Sequence, residues 1–239
     1  DQIMFWDFNS SSIISKSQKL PSIHIYIDPC PRAIAFHPNG DTLASADTDN
    51  KIRIYNTKTG KLQKELSNIH PQAISDILYS NNGNNIVTCG YEGKIKIWQA
   101  NTGRLIKTIH NRSIYKSSHF TMVKSDVEGS YLASIRSTSH PDPQETKIDL
   151  WDQKTGEHIR SFDENGSYIG EMEFTSDGKS LVFFRNNRFH MINIRTGKHS
   201  VLQKYNVNQV TTVGFIKKSS ELILHSLKPG KNQPHIFTL

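Results

Sequence analysis

One pattern recurs along this chain of 239 residues and limits what it can fold into. A short alternating run ends on an aromatic or bulky residue, again and again: Met4-Phe5-Trp6, Arg53-Ile54-Tyr55, Lys96-Ile97-Trp98, Asp149-Leu150-Trp151, Ile192-Asn193-Ile194 and His235-Ile236-Phe237. The terminal positions 6, 55, 98, 151, 194 and 237 are spaced by 49, 43, 53, 43 and 43 residues. Two series of turns keep the same phase. Thr-Gly follows at Thr59-Gly60, Thr102-Gly103, Thr155-Gly156 and Thr196-Gly197, and x-Gly recurs at Asn39-Gly40, Asn82-Gly83, Glu128-Gly129 and Asp177-Gly178. Such pairs supply the positive φ that tight strand-to-strand turns need. Between them lie period-2 stretches rich in β-branched and aromatic residues, as at 33–36, 42–45, 86–89 and 181–184. Each unit therefore predicts four antiparallel strands.

A lone four-stranded sheet of about 43 residues leaves two faces and two edges open, and stacking copies of it around an axis covers the faces. The chain resembles the WD-repeat (WD40) family. The resemblance rests on the period, on Trp6-Asp7 and Trp151-Asp152, and on the phrase Phe36-His37-Pro38-Asn39-Gly40, Leu43-Ala44-Ser45, Asp49, Ile52-Arg53-Ile54-Tyr55. It covers essentially the whole chain. It implies an all-β WD-repeat β-propeller with about five to six four-stranded antiparallel blades here, expected to be part of a seven-bladed ring. The expected division of this single domain, 1–239, is a partial blade at 1–31, blades near 32–66, 73–109, 116–162 and 168–202, and an incomplete blade at 209–239.

Departures from the family pattern also inform. The family places an acidic residue six before the Trp, in the turn between second and third strands, where it bonds a Gly-His histidine and braces the Trp. Asp49, Glu92 and Glu145 hold that slot here, and Arg188 holds it in the fifth unit. No Gly-His pair occurs, which leaves His70 and His110 as stand-ins. The bracing set is expected to be best in the unit with His70, Thr88, Glu92 and Trp98, beside the structural aromatics Trp6, Tyr55 and Trp151; the last two blades are expected to diverge. The strand bearing Trp6 lacks two strands before it, and the last unit stops after three. Either the ring continues outside this chain, or a strand near 22–27 pairs with the last blade and closes a smaller ring. The first is preferred, because the Trp6 strand would be redundant in a five-bladed ring. Inserts at 9–21 and 137–145 lengthen two units and map to surface loops, where repeat proteins often bind.

Catalytic and metal motifs are missing. The Gly-Lys pairs lack the rest of a phosphate-binding loop, and no HExxH, EF-hand, CxxC or G-x-S-x-G pattern occurs. No cofactor, metal or small-molecule substrate is expected. Asn9, Asn111 and Asn165 begin sequons that read as chance matches. Cys30 and Cys89 form no disulfide framework, so a reducing compartment is expected, cytoplasmic or nuclear. No apolar run approaches a membrane-spanning length. The N-terminal residues do not form a targeting signal, and the chain is expected to lie within a longer polypeptide.

The resemblance implies a rigid, non-catalytic docking platform whose partners are other proteins or other domains of the same polypeptide. Carried over position by position, the family's binding face falls on Arg32, Ser75, Tyr168 and Gln209 from first strands, and on Thr48, Tyr91, Gln144 and Asn187 from turns. Arg and Tyr are the residue types that most often anchor interfaces. The net charge of +7 supports an alternative partner, nucleic acid. That charge is spread along the chain, and Trp98 lies in the core phase instead of facing out to stack on bases.

Overall fold

A computed structural model describes residues 4–7, 12–16, 31–67, 69–110, 118–138, 146–164, 169–186, 188–202, 210–215, 221–226 and 235–238. The expected strand at 22–27 lies outside them. The described residues are all-β, with no helix. The strands are β1 (Met4–Asp7) and β2 (Ser12–Lys16); β3 (Pro31–Phe36), β4 (Thr42–Asp47), β5 (Ile52–Asn56) and β6 (Leu62–Leu66); then β7 (Ile74–Tyr79), β8 (Asn85–Gly90), β9 (Ile95–Gln99) and β10 (Leu105–Ile109). They continue as β11 (Ser118–Ser125), β12 (Tyr131–Thr138), β13 (Thr146–Asp152) and β14 (His158–Glu164); β15 (Met172–Phe174), β16 (Ser180–Arg185), β17 (Arg188–Asn193) and β18 (His199–Leu202); and β19 (Val210–Phe215), β20 (Glu221–Ser226) and β21 (His235–Thr238).

Four sheets have four strands each, a two-stranded sheet precedes them, and a three-stranded sheet follows. Every sheet is laid down in chain order, and each of the four larger ones is the four-stranded antiparallel meander that the two turn series predict. The chain divides into two compact units, Asp1–Val123 and Lys124–Leu239.

In the first unit, the β3–β6 sheet faces the β7–β10 sheet over one apolar layer. Ala44, Ala46, Ile52, Ile54, Leu66, Ile69, Ile74, Ile77, Ile86 and Trp98 form it, with Ala33 and Ala35 of β3 packed against them. Small residues on β3 let two sheets approach closely, and interdigitated inner faces are how stacked sheets cohere. Both turn series take the left-handed backbone as predicted. Gly83 has φ of +74°, and a Cβ there would sit 2.1 Å from the His37 ring. That turn therefore tolerates no side chain on two separate grounds.

In the second unit the buried layer includes Leu132, Ile148, Leu150 and Trp151 on β12–β13, and Met172, Phe174, Leu181 and Phe183 on β15–β16.

Register corrects one expectation. Leu43 pairs with Tyr55, Ile86 with Trp98 and Leu132 with Trp151, and the corresponding pair in the β15–β18 sheet is Leu181 with Ile192. The turn agrees: Asn56, Asp152 and Asn193 each accept a hydrogen bond from the backbone N–H three residues on, at 2.8, 2.6 and 2.9 Å. Ile192, not Ile194, thus holds the aromatic position. The slot six residues earlier is Asn186 in place of Arg188, and the residue before that slot is Arg185 in place of Asn187. A two-residue slip keeps every side chain on its original face, so hydrophobic alternation alone could not detect it.

Candidate functional site

The polar interior of the β7–β10 sheet sets the geometry of the neighbouring surface. Trp98 Nε1 has only a proton to offer, and it donates to Thr88 Oγ1 at 2.9 Å. Thr88 Oγ1 lies 2.7 Å from His70 Nε2, and His70 Nδ1 lies 2.5 Å from Glu92 Oε1. One run of protons links all four groups: indole to hydroxyl, hydroxyl to Nε2, and Nδ1–H to the carboxylate. His70 and Thr88 are buried. Lys96 donates to the Ile69 carbonyl at 2.6 Å and stands 3.6 Å from Glu92. Burial pushes the Glu92 carboxyl up, but the His70 hydrogen bond and nearby positive charge outweigh it and hold it below the ordinary range.

A depressed carboxyl stabilises the folded state fully above its ordinary value and loses that contribution as pH falls through the depressed one. Glu92→Gln is therefore expected to flatten the fall of the thermal midpoint below about pH 4.5. Parallel wild-type and variant profiles between pH 7 and pH 3 would contradict the assignment.

Each of the other four-stranded sheets solves the same position differently. In the β3–β6 sheet the turn acid Asp49 grips Arg53, at 3.0 and 2.7 Å, instead of a histidine. Arg53 also donates to Asp47 and to Glu65, the latter at 3.0 Å, while Lys51 pairs with Glu65 at 2.6 Å. Burial raises the Asp47 carboxyl despite Arg53. Burial, then the Asp47 charge, pushes the Tyr55 phenol up to about 12. In the β11–β14 sheet Trp151 donates to Ser134 at 2.9 Å, and Asp149 accepts from Arg136 at 2.7 Å and from Ser161 at 2.6 Å. Glu145 lies outside the described residues. In the β15–β18 sheet Phe183 replaces the hydroxyl, and its ring stacks 5.2 Å from His190, which meets His199 at 2.9 Å. His110 is exposed and takes no part in a brace that the structure shows.

The brace under Trp98 holds the turn between β8 and β9. Gly90 lies beside the His70–Glu92 pair: a Cβ there would come 2.9 Å from Glu92 Oε2 and 3.2 Å from His70 Nδ1. Next along, Tyr91 donates its N–H to the Ala73 carbonyl at 3.1 Å, which leaves its side chain 42% exposed. The phenol ring stacks on His119, with centroids 5.0 Å apart and planes 8° from parallel. Burial lowers the His119 pKa, which favours the neutral ring. Arg32 stands over Tyr91, its guanidinium carbon 5.7 Å from the ring centroid. Three successive sheets thus give one residue each to a column of Arg32, Tyr91 and His119, at the strand ends that the brace fixes.

Of the residues carried over as a binding face, Arg32 and Tyr91 come together here. His119 joins them from β11, a position sequence reasoning passed over; its signal was a polar aromatic at the start of a first strand. Ser75 behaves differently. Its hydroxyl donates to the Phe120 carbonyl at 2.5 Å, with the Cys89 carbonyl 3.2 Å away, and so ties β7 to β11. Asp76 reinforces that tie by accepting from the Val123 N–H at 3.0 Å. Thr48 lies half-buried in the turn after β4. Gln144, Tyr168, Asn187 and Gln209 lie outside the described residues, as does the Trp6 side chain.

Cys89 is buried and free. No cluster of three or more potential metal ligands occurs among the described residues.

Comparison with known families now decides between kinds of meander. The WD40 family (WD domain, G-beta repeat) matches residues 23–56 and 60–99. This part of the chain carries WD40 repeats. The all-β architecture of four-stranded antiparallel sheets is consistent with WD40 β-propeller blades, and the matched segments include all four brace residues, His70, Thr88, Glu92 and Trp98. Among solved structures, a chain of the hydrazine synthase of Kuenenia stuttgartiensis is similar, with a TM-score of 0.75 and 16% identity over 94% of this chain and 67% of that one. At that identity the likeness shows the fold alone. A comparison with curated protein sequences finds no match. WD40 repeats in general serve protein–protein interaction and are in general not catalytic.

Proposed function

We propose that this chain is a non-catalytic docking module of a larger protein or complex, meeting a protein partner on the Arg32–Tyr91–His119 column. The column itself carries the reading. It presents an exposed aromatic, with a cation and a second ring against it, on a turn held from beneath by buried hydrogen bonds. A rigid aromatic anchor costs little ordering entropy on binding, and Tyr and Arg are enriched among residues that dominate interfaces. A second reading, membership of a nucleic-acid-associated assembly, draws on the charge of +7 and on the exposed ring.

Photo-crosslinking distinguishes the two. With a photoreactive residue at position 48, a protein adduct is expected, and Tyr91→Ala together with Arg32→Ala is expected to weaken its formation by about 2 kcal/mol, roughly 30-fold in affinity. An adduct to RNA that disappears as salt rises would favour the second reading. An adduct indifferent to both substitutions would remove the column from the interface.

A further inference from the structure

A groove lies at the other end of the same strands, where β7 turns into β8 and β9 into β10. It has a volume of about 710 Å³ and runs between the β3–β6 and β7–β10 sheets. Its apolar lining comes from Ile54 and Tyr79, both buried, and from Ile106, which is 48% exposed. The His37 ring closes one side, edge-on to Tyr79 at 5.1 Å. Lys64 and Arg104 supply positive charge along the rim, and no Asp or Glu occurs among the described lining residues. Lys64 donates to the Asn101 carbonyl, which holds its ammonium over the groove with further protons to give. The Arg104 side chain is exposed and has no partner among the described residues, leaving a planar fork of donors that suits a carboxylate.

We propose that this groove binds an extended acidic peptide segment of a protein partner, one that alternates carboxylate and apolar side chains. Three features fit one such occupant. Cations without matching acids complement carboxylates. An apolar floor inside a polar rim is the anatomy of a protein interface. The third is main-chain chemistry: β6 ends its sheet, and Gln63 on β6 and Asn84 both line the groove with amides that donate and accept. Peptide groups need just that pairing, and strands at sheet edges are a recurring place for extended segments to dock. Alternation gives the segment two faces, acidic toward Arg104 and Lys64 and apolar toward Tyr79 and Ile54.

The test uses the full chain and a fluorescein-labelled twelve-residue peptide that alternates Asp or Glu with Leu or Phe, read by anisotropy at 150 mM salt. Saturable binding is expected. Arg104→Glu and, separately, Ile106→Asp are each expected to weaken it at least 10-fold. Lys198→Glu, an equal charge change on another sheet, is expected to leave it unaltered. A peptide with Ser in place of Leu and Phe is expected to bind at least 10-fold more weakly. Circular dichroism checks that each variant folds, and the two groove variants fail by different physics, so one misfolded protein does not decide the result. Equal weakening by Lys198→Glu would reduce the effect to diffuse charge and overturn the proposal. So would absence of saturable binding, indifference to both groove variants, or tighter binding of a twelve-nucleotide oligouridine that competes with the peptide. None of these outcomes depends on the Arg32–Tyr91–His119 column.

Discussion

Arg53→Met is expected to destabilise the protein by about 3–5 kcal/mol. Arg53 lies almost fully buried on β5 and is the sole cation among the described residues that pairs with Asp47, whose side chain is wholly buried. Met fills similar volume, so the packing loss is small and the electrostatic loss remains. Without Arg53, Asp47 must hold an uncompensated charge away from water or take up a proton, and Asp49 and Glu65 lose their common partner. A buried pair differs from a buried single charge in that removing both ends together costs far less than removing one. Arg53→Met with Asp47→Leu is thus expected to recover most of the stability lost by Arg53→Met alone. Urea unfolding of the two variants checks this, and a loss below about 1 kcal/mol for the single change would mean that water already solvates the cluster.

Thr88→Val comes next in size, at about 3 kcal/mol. Val keeps the shape of Thr but removes the one oxygen that serves both Trp98 Nε1 and His70 Nε2. Two buried polar groups are then left unpaired, at about 1–3 kcal/mol each. Thr88→Ser keeps the hydroxyl, drops a methyl, and is expected to cost about 1 kcal/mol. That ordering separates hydrogen bonding from packing, and similar losses for Val and Ser would refute the hydrogen-bond account. Because the His70–Glu92 pair lies against Gly90, next to Tyr91, the Val variant is also expected to speed hydrogen exchange at the Tyr91 amide more than the Ser variant does. The same brace then links stability to the presentation of the column.

Much of the fold was legible because repetition averages out local ambiguity. A single Asn82-Gly83 or Thr102-Gly103 is a weak signal, but four of each in phase with Tyr55, Trp98 and Trp151 specify one strand order. The Thr88–His70–Glu92–Trp98 brace was legible for a similar reason, since its members fall at positions the family pattern names. Legibility failed where the pattern thinned. In the β15–β18 sheet the aromatic is replaced by Ile192, and Ile194 two residues on offers the same face, so only the Leu181–Ile192 pairing and the Asn193 turn decide between them. Asp49 was legible as a turn acid but not as a partner of Arg53. That pairing depends on β4 and β6 placing Asp47 and Glu65 within reach of the same guanidinium.

Sequence by itself thus determined the unit: four strands, two classes of turn and a polar brace beside an aromatic. These depend on backbone conformation and on alternation, which act over a few residues and repeat. Tertiary structure decided what the surfaces hold. Arg32, Tyr91 and His119 belong to three sheets and are 59 and 28 residues apart in the chain, and they meet only because stacked sheets bring equivalent strand ends together. The same stacking half-buries Ser75 and puts the Phe120 carbonyl within reach of its hydroxyl. The groove beneath Arg104 and Lys64 likewise exists only between two packed sheets. Contacts across sheets depend on packing distance, which alternation does not encode.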